Sequence, residues 1–181
     1  DALAFEVEKS RFLNSLEMID GKVPLPNRLQ DRRNQDPLIP LEKFVNSPDT
    51  DPSVAANRDW AKKIYKRLGS TTIGIDLVEK QTISDARTLN ETVARAKKAQ
   101  PALATLSGSQ RASLLHQIGA VLEQNREYLI EVAMAEAGKT FDQVDVEVSE
   151  AIDFAHYYAH QAKRLDALPG AKPVPRPITV V

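Results

Sequence analysis

Glu150 has the setting in this sequence that most invites chemistry. Val146 lies four residues before it, Phe154 four after and Tyr157 seven after, so at 3.6 residues per turn all four share one side of a helix. Val144, Val148, Ala151, Ile152, Ala155, Ala159 and Ala162 form a stripe on roughly the opposite side, with small residues dominating its second half. A helix apolar on two sides is expected to be buried on both. A carboxylate there must find a cation or a set of donors, because burying an unpaired charge costs several kcal/mol. Two readings follow: a structural ion pair with an Arg or Lys elsewhere, or a ligand-facing carboxylate that receives an ammonium group. Glu147 lies at the margin of the first stripe and is expected to be solvated.

The other candidates carry less. His156 and His160 stand four apart and could reach one metal ion, but no third ligand has a recognisable spacing, although Asp153 lies on the adjoining turn. They read as packing or surface histidines, and so does His116, which has no visible partner. Gly138-Lys139-Thr140 looks like the end of a phosphate-binding loop, yet that motif needs a glycine five positions earlier, where Ala133 stands. The tripeptide reads instead as a helix-ending glycine followed by a new helix start. Lys62, Lys63, Lys66 and Arg67 form a basic patch without aromatic interleaving, expected as a solvated face. Cysteine is absent, which removes disulfides, thiolate metal sites and a cysteine nucleophile from this stretch. A formal net charge of -1 argues against nucleic acid as the main partner.

The elements that position these residues fit within 181 residues, room for one domain or a domain with an extended arm. No apolar run approaches the ~20 residues of a membrane span, and the first residues resemble no signal peptide, so a cytoplasmic placement is expected. Six prolines between Pro24 and Pro52 and four between Pro169 and Pro177 exclude continuous helix from both regions. The spacing of Phe5, Phe12, Leu13, Leu16 and Ile19 predicts an amphipathic helix over 1–20, ended by Gly21. Residues 22–50 are expected to run extended as a linker. Asp51-Pro52 is expected to open a helix striped by Trp60, Ile64 and Leu68 and stopped by Gly69. Thr71 to Val78 is β-leaning and reads as a short strand. Ser84 to Leu168 is strongly helical, with Ser84 and Ser109 as candidate caps, Asn125 dividing two helices, and a long helix from Phe141 to Ala167. Ile178 to Val181 reads as the start of a strand, so the chain looks cut from something longer. The expected organisation is a helix and linker over 1–50 and a mainly helical unit with short strands over 51–181.

Two stretches carry a resemblance. Phe44-Val45-Asn46-Ser47-Pro48-Asp49-Thr50-Asp51-Pro52 with Ala56-Asn57-Arg58-Asp59-Trp60 resembles the junction before the dehydrogenase module in bifunctional proline dehydrogenase/glutamate-semialdehyde dehydrogenases. Glu136-Ala137-Gly138-Lys139-Thr140, Glu147-Val148, Glu150-Ala151-Ile152-Asp153-Phe154 and Tyr157-Tyr158-Ala159 are similar to a helical segment of the aldehyde dehydrogenases. The resemblance implies an α/β aldehyde dehydrogenase fold in a longer parent and oxidation of L-glutamate γ-semialdehyde to L-glutamate in proline catabolism. It also implies NAD as cofactor, FAD in an upstream proline dehydrogenase domain, an amino-acid aldehyde substrate and a homo-oligomer. The nucleophilic cysteine, general-base glutamate and dinucleotide site would belong to the remainder of the module, so this chain alone is expected to be inactive. By its position seven residues before Tyr157, Glu150 resembles the family position that lines the aldehyde tunnel, where this branch uses a carboxylate to contact the substrate ammonium. The rival expectation is a non-enzymatic helical interaction or assembly module.

Overall fold

The computed structural model describes residues 2–19, 21, 31–34 and 42–170, and seven helices follow one another within them. They are α1 (Ala2–Glu17), α2 (Ala55–Leu68), α3 (Ile75–Gln81), α4 (Ala86–Ala104), α5 (Gly108–Gln124), α6 (Arg126–Ala137) and α7 (Phe141–Asp166). Among the described residues there is no strand. The expected strand at 178–181 lies outside them, as do 22–30 and 35–41 of the expected linker. The described linker residues 31–34 and 42–50 contain no helix or strand.

The long helix organises the rest. Gly138 adopts a φ of 65°, the left-handed turn that ends α6, and the Gln143 carboxamide accepts from the Thr140 N–H as α7 begins. Gly138-Lys139-Thr140 is therefore a helix junction. One face of α7 meets α6 and α2 through Phe141, Val144, Val148 and Ile152, which pack with Ile130, Met134, Trp60 and Ile64. Further along, Ala155 and Ala159 are buried against α5, whose Gly108, Ala112 and Gly119 are buried in turn. Small residues on both sides let the two backbones approach. A Cβ on Gly119 would stand 2.7 Å from the His156 ring. The trade is less apolar area per residue for a closer, denser contact.

Several boundaries differ from the expected ones for local reasons. Asp51 does not cap α2: its carboxylate accepts from the Ser53 N–H at 2.8 Å, closing a turn that contains Pro52, and the helix starts at Ala55. Asp85 caps α4 in place of Ser84, accepting from Thr88 N at 2.8 Å. Ser107 caps α5 in place of Ser109, with Gln110 reaching back to its N–H.

The strand expected from Thr71 to Val78 is not formed. Ile75 to Val78 are the first residues of α3, with Val78 N–H donating to Gly74 O at 2.9 Å and Thr82 N–H to Val78 O at 2.9 Å. A strand needs a neighbour for its backbone groups, and no described residue offers one, whereas a helical turn satisfies them internally. Helix α1 forms as expected but buries no residue, leaving Phe5, Phe12, Leu13 and Leu16 exposed.

Candidate functional site

The second apolar side of α7 is exposed in this chain, contrary to the expectation of burial on both sides. Val146, Phe154, Tyr157 and Tyr158 are between two-fifths and three-fifths exposed. They form one wall of an open cavity of about 750 Å³, and the opposing material comes from residues 44–49. Phe44 sets its ring edge-on to Tyr157, with centroids 5.5 Å apart.

Residues 46–50 lie along α7 because two of its carboxylates hold them. Asp153 accepts from Asn46 Nδ2 at 2.6 Å and from the Ser47 N–H at 2.5 Å. Asp145, eight residues earlier and so about 12 Å along the axis, accepts from the Thr50 N–H at 2.5 Å and its hydroxyl at 2.9 Å. A carboxylate accepting two donors is well satisfied, which makes these strong anchors for an otherwise irregular segment.

Behind this strap lies a buried polar cluster that the sequence reading missed. Arg126 is fully buried and donates to Asp145 Oδ1 at 2.9 Å, Ser149 Oγ at 3.0 Å and Glu123 Oε2 at 2.7 Å. Arg32 reaches the same Glu123 at 2.8 Å and donates to Thr50 Oγ1 and the Pro48 carbonyl, while its N–H donates to Asn57 Oδ1. Burial lowers the Arg32 pKa from its ordinary value and the Arg126 guanidinium lowers it further, against Glu123 and Asp145, which raise it. A periodic signal existed: Asp145, Ser149 and Asp153 make a polar line at steps of four between the two apolar sides of α7.

Glu150 faces the cavity and is exposed, whereas Asp49 and Asp153, which share the lining, are half-buried. Among the described residues no cation pairs with Glu150, so the internal ion pair that one reading required does not occur there. Glu147 is exposed and pairs with Lys139 at the start of α7. The cavity can therefore present carboxylates beside aromatic rings, a setting for a small cation whose other end is apolar or neutral.

The three histidines meet in one place, which corrects the view of His116 as partnerless. His116 Nδ1 lies 2.8 Å from His156 Nδ1, and the His116 ring stands edge-on to His160 with centroids 5.4 Å apart. Burial lowers the pKa of both His116 and His156, and the neighbouring histidines lower that of His116 further. The rings stack and cross; among the described residues no group of three or more His, Cys, Asp or Glu is placed to hold a metal ion. The basic patch on α2 is exposed at Lys62, Lys63 and Lys66, but Arg67 is drawn off it to Glu127 at 2.6 Å and buried Glu131 at 2.7 Å.

The sequence profile described as "Aldehyde dehydrogenase family" matches residues 76–176, over half of the chain. The chain belongs to the aldehyde dehydrogenase family. Its relatives include the "Bifunctional protein PutA" of Escherichia coli K12, 44% identical over 55 residues, which are 30% of this chain and 4% of that protein. The corresponding protein of Salmonella typhimurium is 43% identical over 54 residues. The "1-pyrroline-5-carboxylate dehydrogenase" of Bacillus mycoides is 29% identical over 152 residues, 70% of this chain and 30% of that enzyme. The chain thus spans less than a third of the length of these curated relatives. No solved structure matches it. Within this aldehyde dehydrogenase chain, α7, one wall of the cavity, falls inside the matched region, whereas the strap at 44–50 that supplies the other wall precedes it.

Proposed function

We propose that this chain is part of an enzyme that oxidises L-glutamate γ-semialdehyde to L-glutamate in proline catabolism, and that Glu150 receives the substrate's α-ammonium group. The observation that carries the reading is Glu150 itself: exposed, lining the cavity and unpaired among the described residues, while Asp145 and Asp153 on the same helix are occupied by the strap. Glutamate semialdehyde is the open form of 1-pyrroline-5-carboxylate, the compound in the name of the Bacillus mycoides relative. An ammonium beside a carboxylate at the rim, with the carbon chain against Phe154 and Tyr157, is the arrangement its chemistry asks for.

The remaining parts of the reaction belong elsewhere in the enzyme. The chain has no cysteine to form the thiohemiacetal. The cavity does not fit NAD, because Asp49, Glu150 and Asp153 would repel a pyrophosphate. NAD as hydride acceptor is implied by the family alone, and FAD only by the bifunctional relatives' architecture. In this reading the chain supplies one wall of the aldehyde channel in a cytoplasmic homo-oligomer. It orients the substrate's amino end so that the aldehyde carbon projects toward groups held by the rest of the module.

The test is Glu150→Ala in the complete enzyme, compared on glutamate semialdehyde and on a straight-chain aldehyde without the amino group. A charged hydrogen bond contributes about 1.5–3 kcal/mol, so kcat/KM for glutamate semialdehyde should fall roughly tenfold to over a hundredfold, with a much smaller loss for the plain aldehyde. Because Glu150 is exposed, the melting temperature should hardly move. Equal losses on both substrates would return Glu150 to a structural role.

A further inference from the structure

The cavity is assembled from two sources that are far apart in sequence. One wall is α7. The other is the strap at 44–49, an irregular segment with no helix or strand to fix its shape. Irregular backbone keeps one conformation only where its polar groups have specific partners. At the aromatic end of the cavity those partners converge on one side chain. Asp153 accepts from the Ser47 backbone N–H at 2.5 Å and from Asn46 Nδ2 at 2.6 Å.

Phe44 follows from that anchor. It lies two residues before Asn46, is half-buried, and meets Tyr157 edge-on at 5.5 Å and His160 at 6.5 Å between centroids. Tyr157 is one helical turn beyond Asp153, so the anchor and the ring it presents sit on neighbouring turns of α7. Asp145, at the far end of the strap, holds Thr50 and is backed by buried Arg126. That second anchor would keep the strap attached if the first were lost, while leaving residues 44–47 free to swing.

We propose that Asp153 is a positioning residue for the aldehyde site: by holding Asn46 and Ser47 it keeps Phe44 packed on Tyr157 and so sets the width of the cavity at its aromatic end. The proposal rests on the reading of this cavity as part of the aldehyde channel, but not on which aldehyde it accepts. Asp153 itself need not touch substrate. Its carboxylate is occupied by the strap, in contrast to Glu150 three residues earlier.

Two measurements test it. In this chain, hydrogen exchange at the Ser47 amide reads the anchor directly: the amide should be protected in the wild type and should exchange at least tenfold faster in Asp153→Ala, with the amides of α7 unchanged. In the complete enzyme, Asp153→Ala and Phe44→Ala should each raise KM roughly three- to tenfold for any aldehyde the enzyme accepts, the range set by an aromatic contact, with kcat within about twofold. The double variant should be no worse than either single one, since both remove the same wall. Asp153→Asn should recover most of the KM, because its amide oxygen still accepts from Ser47. Additive losses, an equal fall in kcat, or unchanged exchange at Ser47 would overturn the proposal. Equal losses on both aldehydes in Glu150→Ala would overturn the substrate assignment and leave this one standing, because the KM effect is read on every aldehyde.

Discussion

Arg126→Met is the substitution whose consequence the structure defines most closely. The arginine side chain is wholly buried, and its guanidinium spans three acceptors on two other helices: Glu123 on α5, and Asp145 and Ser149 on α7. Methionine keeps much of the stem's packing but removes the charge, leaving two carboxylates in a dry setting. Removing one partner of a buried ion pair costs about 3–5 kcal/mol. Two features bring the expected loss to the lower end of that range. Asp145 retains the N–H and hydroxyl of Thr50, and Glu123 retains Arg32. The expected loss is therefore about 3 kcal/mol, and with a urea slope of about 2 kcal/mol/M the midpoint should drop by roughly 1.5 M. Urea unfolding followed by helical circular dichroism measures it. Because the pair is shielded from water, about 0.5 M NaCl should leave the difference nearly unchanged. A loss below about 1 kcal/mol, or one that salt halves, would refute the picture of a dry cluster holding the strap to the helices.

Acidification should destabilise the chain through His116 and His156. Both have pKa values lowered by burial, so the unfolded state takes up protons first; their stability contribution is intact above about pH 6.5 and is lost as the pH falls below it. The urea midpoint should fall between pH 7.5 and 5.5, and the fall should shrink in a His116→Gln/His156→Gln variant; identical pH profiles would contradict this. Gly119→Ala should cost about 1–3 kcal/mol in thermal melts, because its Cβ would press on the His156 ring, whereas Gly69→Ala meets no atom within 4 Å and should be close to neutral. Equal effects at the two glycines would mean that α5 and α7 are not in close contact.

Periodicity carried most of the helical reading. From residue 84 onward the apolar spacing is regular enough that Asn125 and Gly138 could be recognised as junctions, and both occupy those places. Caps were less legible, because Ser84 and Asp85 compete for one role and only the side chain that reaches the third amide wins it. Thr71 to Val78 misled for a different reason. β-branched residues favour strands only where a partner strand exists, and local composition does not reveal whether one does.

The two-sided pattern of α7 led to Glu150 but not to what surrounds it, and the difference is one of range. Val146, Phe154 and Tyr157 lie within two turns of Glu150, so helical geometry alone puts them together. The strap cannot be found that way: Ser47 bonds a residue 106 positions away and Thr50 one 95 away. What the sequence does contain is a polar line, Asp145, Ser149 and Asp153, running between two apolar sides. On a solvated helix such a line would be unremarked. On a helix whose neighbouring faces are apolar, two carboxylates and a hydroxyl at steps of four require donors from outside the helix. A segment rich in proline, with few backbone bonds of its own, is the complementary supplier, because its free N–H groups need acceptors as much as the carboxylates need donors. Matching unsatisfied donors in irregular stretches with unsatisfied acceptors on helices would have joined residues 46–50 to α7, and with them the second wall of the cavity.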